Sequence, residues 1–317
     1  MADAVNPRRD SLFDRAAALV GPRHLDLHLR SVPHLISFPL RAFYDRPVEV
    51  ATRRPGVDGL DAIDVVRPPR PGRAAEVAAI VDLLAARLGA MEGGAGGGAA
   101  TIGVITPFRA HARALEAALA HAFDEASLRA LRLRVGTVHE VQGAELDETV
   151  LAIGLAAGDP AQRVAFVEDP HLFDVMVPRA RRRTTVVTAL DPGSTTLLGR
   201  YLAHAAGPEP VPPDRSVDDP WAAALAAHLR AVGVPVHLGY AVGPWLLDLV
   251  VDDPSRAVAV EARLHPAGAT AHLDRHRALV GLGWEVLDAR PGVLGDDPAV
   301  AALAVAAAVG PAPGGAG

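Results

Sequence analysis

The sequence predicts an α/β protein in which a parallel-sheet unit is followed by a smaller α/β unit. Two observations carry this. Between residues 74 and 190, amphipathic helical stretches alternate with short apolar runs such as T-I-G-V-I-T (101–106), T-V-L-A-I-G (149–154) and T-T-V-V-T-A-L (184–190). That alternation marks a largely parallel sheet with crossover helices. Then residues 207–219 turn rich in Pro, Asp and Glu, and a new helix-and-strand series begins. The 317 residues suffice for about two domains. Hydrophobic residues make up 50% and aromatics only 4%, so Ala, Val and Leu must fill a closely packed core.

In order, Leu25, Leu27 and Leu29 alternate as in a strand, closed by Arg30-Ser31. Val32–Tyr44 has helical spacing; Pro33 is tolerated at its start, and Pro39 is expected to kink or divide it. Residues 46–72 read as extended. Ala74–Leu88 is an amphipathic helix, Gly93–Ala99 a glycine-rich connection, Thr101–Thr106 a core strand, Ala112–Phe123 a helix and Leu131–Val135 a strand. A polar segment with Gln142, Gly143, Glu145 and Asp147 leads into the strand Thr149–Gly154. It is expected to form a loop and short helix at the strand's edge and to touch a ligand. Leu172–Arg183 reads as a basic helix and Thr184–Leu190 as a buried strand. The second series comprises a helix over Trp221–Val232, strands near Val234–Val242, Leu246–Val251 and Ala257–Ala262, a helix near Ala271–Leu282 and a strand at Trp284–Leu287. From Ala301 the Ala/Gly/Pro composition suggests a frayed helix and a disordered end. The expected organisation is a first domain at 1–205 with a glycine-rich insert at 93–99, a linker at 206–219, a second domain at 220–300 and a tail at 301–317.

A net charge of −6 excludes a wholly basic nucleic-acid coat but leaves room for a local basic groove. With no cysteine there is no disulfide, thiolate nucleophile or thiolate metal site. The chain also contains no lysine, so no phosphate-binding or Schiff-base lysine exists in it. No leader pattern or long uncharged apolar run stands out, so a soluble, cytoplasmic protein with no membrane partner is expected. The glycine tract 93–98 lacks the Lys-Ser/Thr of a nucleotide loop and precedes a strand instead of coming after one. It reads as a flexible connection.

Four segments point further when taken together: L-R-S-V-P-H-L-I-S-F (29–38), I-G-V-I-T-P-F-R-A (102–110), T-V-H-E-V-Q-G-A-E-L-D-E (137–148) and V-P-R-A-R-R-R-T-T-V-V-T (177–188). Singly, each arginine reads as a solvated surface group. In this order, over roughly residues 10–195, the series resembles the second RecA-like domain of superfamily 1 DNA/RNA helicases. The resemblance implies that ATP lies between this domain and a first RecA-like domain. Arg30 and Arg179 would reach the γ-phosphate and stabilise transition-state charge, a role suited to the planar guanidinium fork. Gln142, Gly143 and Glu145 would contact the nucleotide sugar or couple nucleotide state to nucleic acid. Arg109 and Thr137 would face the DNA or RNA strand. The run Arg179–Arg183 would serve nucleotide or backbone contact. Leu29 stands where the family usually has an aromatic residue, and Val177-Pro178 where it has Leu-Thr.

The family's first domain, with its Walker A lysine and magnesium carboxylates, would precede the Arg30 segment. The expectation is therefore a partner polypeptide carrying that domain, a truncated gene or a misassigned start, and no ATP turnover by this chain alone. The alternatives are a non-enzymatic nucleic-acid-binding subunit that completes a split helicase, or an inactive remnant.

In the second unit, Asp248 and Glu261 fall on neighbouring expected strands. Such a pair can bind Mg²⁺ and orient water for phosphodiester attack, or can be strand-end charges facing solvent. The order G-V-P-V-H-L-G-Y-A-V-G, L-D-L-V-V, V-A-V-E, D-R-H-R-A-L-V-G-L-G-W-E-V-L over about residues 220–290 resembles very-short-patch-repair-like endonuclease domains of the PD-(D/E)xK superfamily. That resemblance implies a Mg²⁺-dependent nuclease, with Asp248 and Glu261 as metal ligands and Arg263 at the position of the usual lysine. Arg263 can hold phosphate but is a poor base. His265 or His272 could supply one, or be surface histidines. The combined reading is part of an ATP-dependent helicase with a nuclease-like domain, acting in repair or defence.

Overall fold

A computed structural model describes residues 16–310 except 18, 22–23, 71, 93–99, 142, 192, 194 and 209. The glycine tract, Gln142 and the end of the expected tail thus lie outside the described residues. The first unit comprises β1 (Leu27–His28), α1 (Pro33–Phe43), β2 (Glu49–Val50), β3 (Ile63–Val66), α2 (Arg73–Glu92), β4 (Ile102–Thr106), α3 (Arg109–Ala122), α4 (Glu125–Ala130), β5 (Leu133–Thr137), β6 (Leu146–Ala152), α5 (Ala161–Val167), α6 (Pro170–Met176), β7 (Ala180–Val187) and α7 (Leu197–His204). Five strands form one sheet in the order β3-β7-β6-β4-β5, every pair parallel. The α/β expectation holds.

Strand alternation splits the core in two. Val104 and Val150 face Ile80, Leu84, Leu115 and Leu119, while Ile105 and Leu151 face Leu35, Phe38, Phe173 and Tyr201. Both faces of the sheet are therefore covered, as parallel sheets require. Helix α2 buries Glu76, Ile80 and Leu84, a four-residue spacing that keeps all three on one stripe. At Gly103 of β4 a Cβ would lie 2.4 Å from Leu146 Cδ1, so a larger residue there would have to displace that buried side chain of β6.

Several local expectations change. Pro39 does not divide α1, which runs unbroken from Pro33 to Phe43. Burial of Leu35, Ile36 and Phe38 outweighs the missing hydrogen bond, since each such side chain contributes about 2 kcal/mol against about 3 kcal/mol for the proline. The basic helix is shorter than expected. It stops at Met176, a 3₁₀ turn spans Val177–Arg179 with Pro178 at φ −86°, ψ 32°, and Ala180 starts β7. Arg181, Arg182 and Arg183 are strand residues because the run carries no apolar helical stripe, whereas Thr184–Val187 is buried between β6 and β3. The segment 138–141 forms turns, with no short helix. Val138 and Val141 are buried, so the segment crosses the sheet face as packed chain between β5 and β6.

The second unit holds α8 (Pro220–Ala231), β8 (Val236–Val242), β9 (Trp245–Val251), β10 (Val258–Glu261), α9 (Ala269–Gly281), β11 (Glu285–Asp288) and α10 (Pro298–Val309). Its sheet order is β11-β10-β9-β8, antiparallel except for β10–β11. Residues 301–309, expected as a frayed end, form most of α10. There Ala301, Ala302, Val305 and Val309 pack against Ala222, Leu225, Ala226 and Leu229 of α8. Small alanines let the helices approach closely, a signal that hydrophobic periodicity does not carry.

The units share a core. Leu27 and Ala51 of the first join Tyr240, Val242, Leu247 and Trp284 of the second. The Gly243 N–H donates to the Val50 carbonyl at 3.1 Å, and the Tyr240 hydroxyl donates to Asp58 at 2.6 Å. The Arg53 guanidinium lies 4.1 Å from the Tyr240 ring centroid. The connecting chain is pinned along β8: Arg215 N–H donates to the Gly239 carbonyl, and Asp214 pairs with His237 at 2.9 Å.

Candidate functional site

The N-terminal ends of β6 and β7 and the turn after β1 meet at one end of the strands of the five-stranded sheet. Ser31 Oγ donates to the Ala180 carbonyl at 2.7 Å and Val32 N–H to the Arg181 carbonyl at 3.0 Å, fixing the Arg30 turn against β7. Arg30 donates to the Pro178 carbonyl. Arg179 Nε donates to the Val175 carbonyl at 2.5 Å. Arg30 Nε is buried without a hydrogen-bond partner. Burial lowers the pKa of Arg30, and the nearby Arg181 lowers it further. Burial, then Arg30 itself, does the same for Arg179. Residues 149 positions apart in sequence thus form a crowded cationic pair whose hydrogen bonds go to neutral carbonyls, with Glu145 near Arg30 and Asp174 near Arg179 offsetting part of the charge. Such a pair suits an anion, because a phosphate would relieve both desolvation and mutual repulsion.

Glu145 is exposed beside this pair and accepts from Arg181 at 2.8 Å. Gly143 adopts φ +85°, a left-handed turn that glycine takes without strain. Asp147 is a structural group here: its Oδ2 accepts from the Thr101 N–H and hydroxyl, both at 2.8 Å, which hold its carboxyl below the usual range.

Arg109 and Thr137 lie at the opposite end of the strands, after β4 and at the end of β5. Arg109 is the exposed first residue of α3, beside Arg113. Thr137 is buried, and its N–H and hydroxyl donate to Glu140 at 2.8 and 2.9 Å. Those bonds hold the Glu140 carboxyl low, with Arg109 and Arg113 adding to the effect. The four segments therefore do not build one cluster. They build two, at opposite ends of the sheet's strands, with residues 138–141 leading from the one and 143–145 entering the other.

In the second unit Asp248 and Glu261 sit on the neighbouring strands β9 and β10, and both are buried. Asp248 accepts from Arg263 Nε at 2.9 Å and from the N–H groups of Ala262 and Arg263. Glu261 accepts from Arg275 at 3.1 Å and lies 3.2 Å from His272 and 3.4 Å from His276. His265 stands apart, its Nδ1 accepting from Ala267 N–H. The donor set does not fit Mg²⁺, which needs free oxygen ligands near octahedral positions. A guanidinium occupies one oxygen of each carboxylate, backbone N–H groups hold the other oxygen of Asp248 and histidines face that of Glu261, and among the described residues no group of three or more His, Asp or Glu could hold a metal ion. Neither carboxylate is a solvent-facing strand end.

Residues 70–191, from just before α2 to just beyond β7, match a family model described as an AAA domain. With the five-stranded parallel sheet, this supports a helicase-like, RecA-type domain. A search of curated proteins finds no match. Among the described residues no helix of this RecA-type domain or of the second unit is long and apolar enough to cross a membrane.

Sequence reasoning assigns no role to Arg275 and His276, although both lie in the D-R-H-R run (274–277). It also misses Glu76, which is fully buried in α2 and accepts from the N–H groups of Gly154 and Ala189 at 2.8 and 3.1 Å. One acid among the three of an amphipathic helix carries no signal of what it will meet.

Proposed function

We propose that the first unit is the second RecA-like half of a superfamily 1 DNA or RNA helicase, completing an ATP site on a domain that carries the Walker A lysine this sequence lacks. The observation that carries this reading is the Arg30–Arg179 pair, drawn together across the fold and hydrogen-bonded to backbone carbonyls. Bound ATP would supply the phosphoanhydride to be cleaved. The protein's part is electrostatic: both guanidiniums can leave neutral carbonyls for γ-phosphate oxygens without stranding a carboxylate, and so offset charge that develops as the bond breaks. Glu145 would accept from the nucleotide sugar, exchanging its present partner Arg181. Nucleic acid would lie at the opposite end of the strands near Arg109, and the chain from 138 to 145 would link the two events. The second unit is read as a PD-(D/E)xK-like scaffold that serves the same nucleic-acid process, in repair or defence, and no cleavage step is derived through its carboxylates.

The test is reconstitution with a Walker A-bearing RecA-like domain. Nucleic-acid-stimulated ATP turnover should appear only in the mixture and fall about a thousandfold or more with Arg179→Ala. Turnover unaffected by both Arg179→Ala and Arg30→Ala would sink the reading.

A further inference from the structure

Beside the Arg30 turn lies a cleft of about 260 Å³ that shares Arg30, Arg181 and Arg182 with the helicase reading but extends past them to Arg54 and the second unit. Its charged lining is Arg30, Arg54 from the turn after β2, Arg181 and Arg182 from β7, and the carboxylate Asp147. Apolar side chains from both units complete it, Leu29, Val32 and Ala51 from the first, Leu282 and Trp284 from the second. The charges do not cancel. Glu145 offsets Arg181, and Asp147 interacts with Arg182. Among the described residues Arg54 makes no ion pair, and Arg30 is tied to a carbonyl. Two positive charges are thus left over in a cleft whose apolar walls strengthen their field.

We propose that this seam is a second phosphate site, which takes a phosphate ester of about nucleotide size. Arg54 and Arg182 hold the phosphate, and Trp284 reports on it from the wall. Arg30 lines this cleft too, but the phosphate position held by Arg54 and Arg182 does not involve Arg179, and the proposal does not depend on the helicase reading. Its consequence is physical: a ligand here touches both units at once, so its binding is felt in the turn between α9 and β11.

The phosphate could belong to a free nucleotide or to a single nucleic-acid strand, and two probes distinguish them. The full chain is titrated with ADP, monitored by tryptophan fluorescence, and separately with a 5′-phosphorylated short oligothymidylate, monitored by anisotropy. We expect at least one probe to bind, and Arg54→Gln with Arg182→Gln to weaken it roughly tenfold per residue while Arg54→Lys retains most of it. Both side chains are exposed, so the melting temperature should not move, which separates lost binding from lost fold. For the oligonucleotide the salt slope should fall by about 0.7 per arginine removed. ADP alone binding assigns a nucleotide; the oligonucleotide alone binding assigns a strand. Binding that resists both glutamine substitutions but is lost with Arg179→Ala would put the ligand at the other position and overturn this proposal. No binding of either probe would overturn it as well.

Discussion

At the scale of the residue, buried polar groups here are held by backbone more than by one another. Glu76 closes the ends of β6 and β7 through the Gly154 and Ala189 N–H groups. Glu76→Ala leaves the buried Gly154 N–H unpaired and frees the half-buried Ala189 N–H, and should cost about 1–3 kcal/mol in urea unfolding. His28 gives a pH prediction. Its Nε2 accepts from the Ser31 N–H at 2.8 Å, and burial, with Arg30 second, lowers its pKa to about 4. The folded state therefore favours neutral histidine, while the unfolded chain takes up a proton near pH 6.5. The stability from neutral His28 is complete above about pH 6.5 and is lost as pH falls toward 4. The stability of the wild type relative to His28→Asn should accordingly decline over that window, read by unfolding at each pH. A flat difference would show that the His28 environment does not discriminate the two forms.

At the scale of the element, the strands of the second unit carry buried ion pairs where a nuclease would carry metal ligands. Breaking a buried pair leaves an uncompensated charge, so Glu261→Gln should cost about 3–5 kcal/mol by stranding Arg275. Because the carboxylates are engaged, Mg²⁺ or a chelator should leave the melting temperature of the wild type unchanged. A rise in melting temperature with Mg²⁺ that disappears in Asp248→Asn would reverse that conclusion. Helix α10 belongs at this scale too. Its alanines gain their meaning only from α8 opposite, and removal of residues 298–317 should open the second unit to proteolysis.

At the scale of the whole molecule, the two units are built as one body. Gly56 lies so close to the second unit that a Cβ would fall 2.0 Å from the Pro254 carbonyl oxygen. Gly56→Ala must therefore push the units apart at a backbone contact with little room to give. The wild type should melt in a single calorimetric transition and Gly56→Ala in two. Two transitions in the wild type would show that the shared core of Ala51, Tyr240 and Trp284 does not couple them.

The sequence by itself determined the α/β class, most strands to within a few residues, and the arginines worth asking about. Apolar periodicity and turn chemistry are local, and an ordered set of motifs is visible in one dimension. Tertiary structure alone decided which of these residues meet. It sent Arg109 and Thr137 to one end of the strands and Arg30, Glu145 and Arg179 to the other, because parallel strands hold their entering and leaving loops a full strand length apart. It converted Arg181–Arg183 from helix to strand as part of β7, which pairs with β6 from Ala180 and with β3 only from Thr184 on. It set a guanidinium from 14–15 positions away against one oxygen each of Asp248 and Glu261, a charge balance that no local pattern encodes.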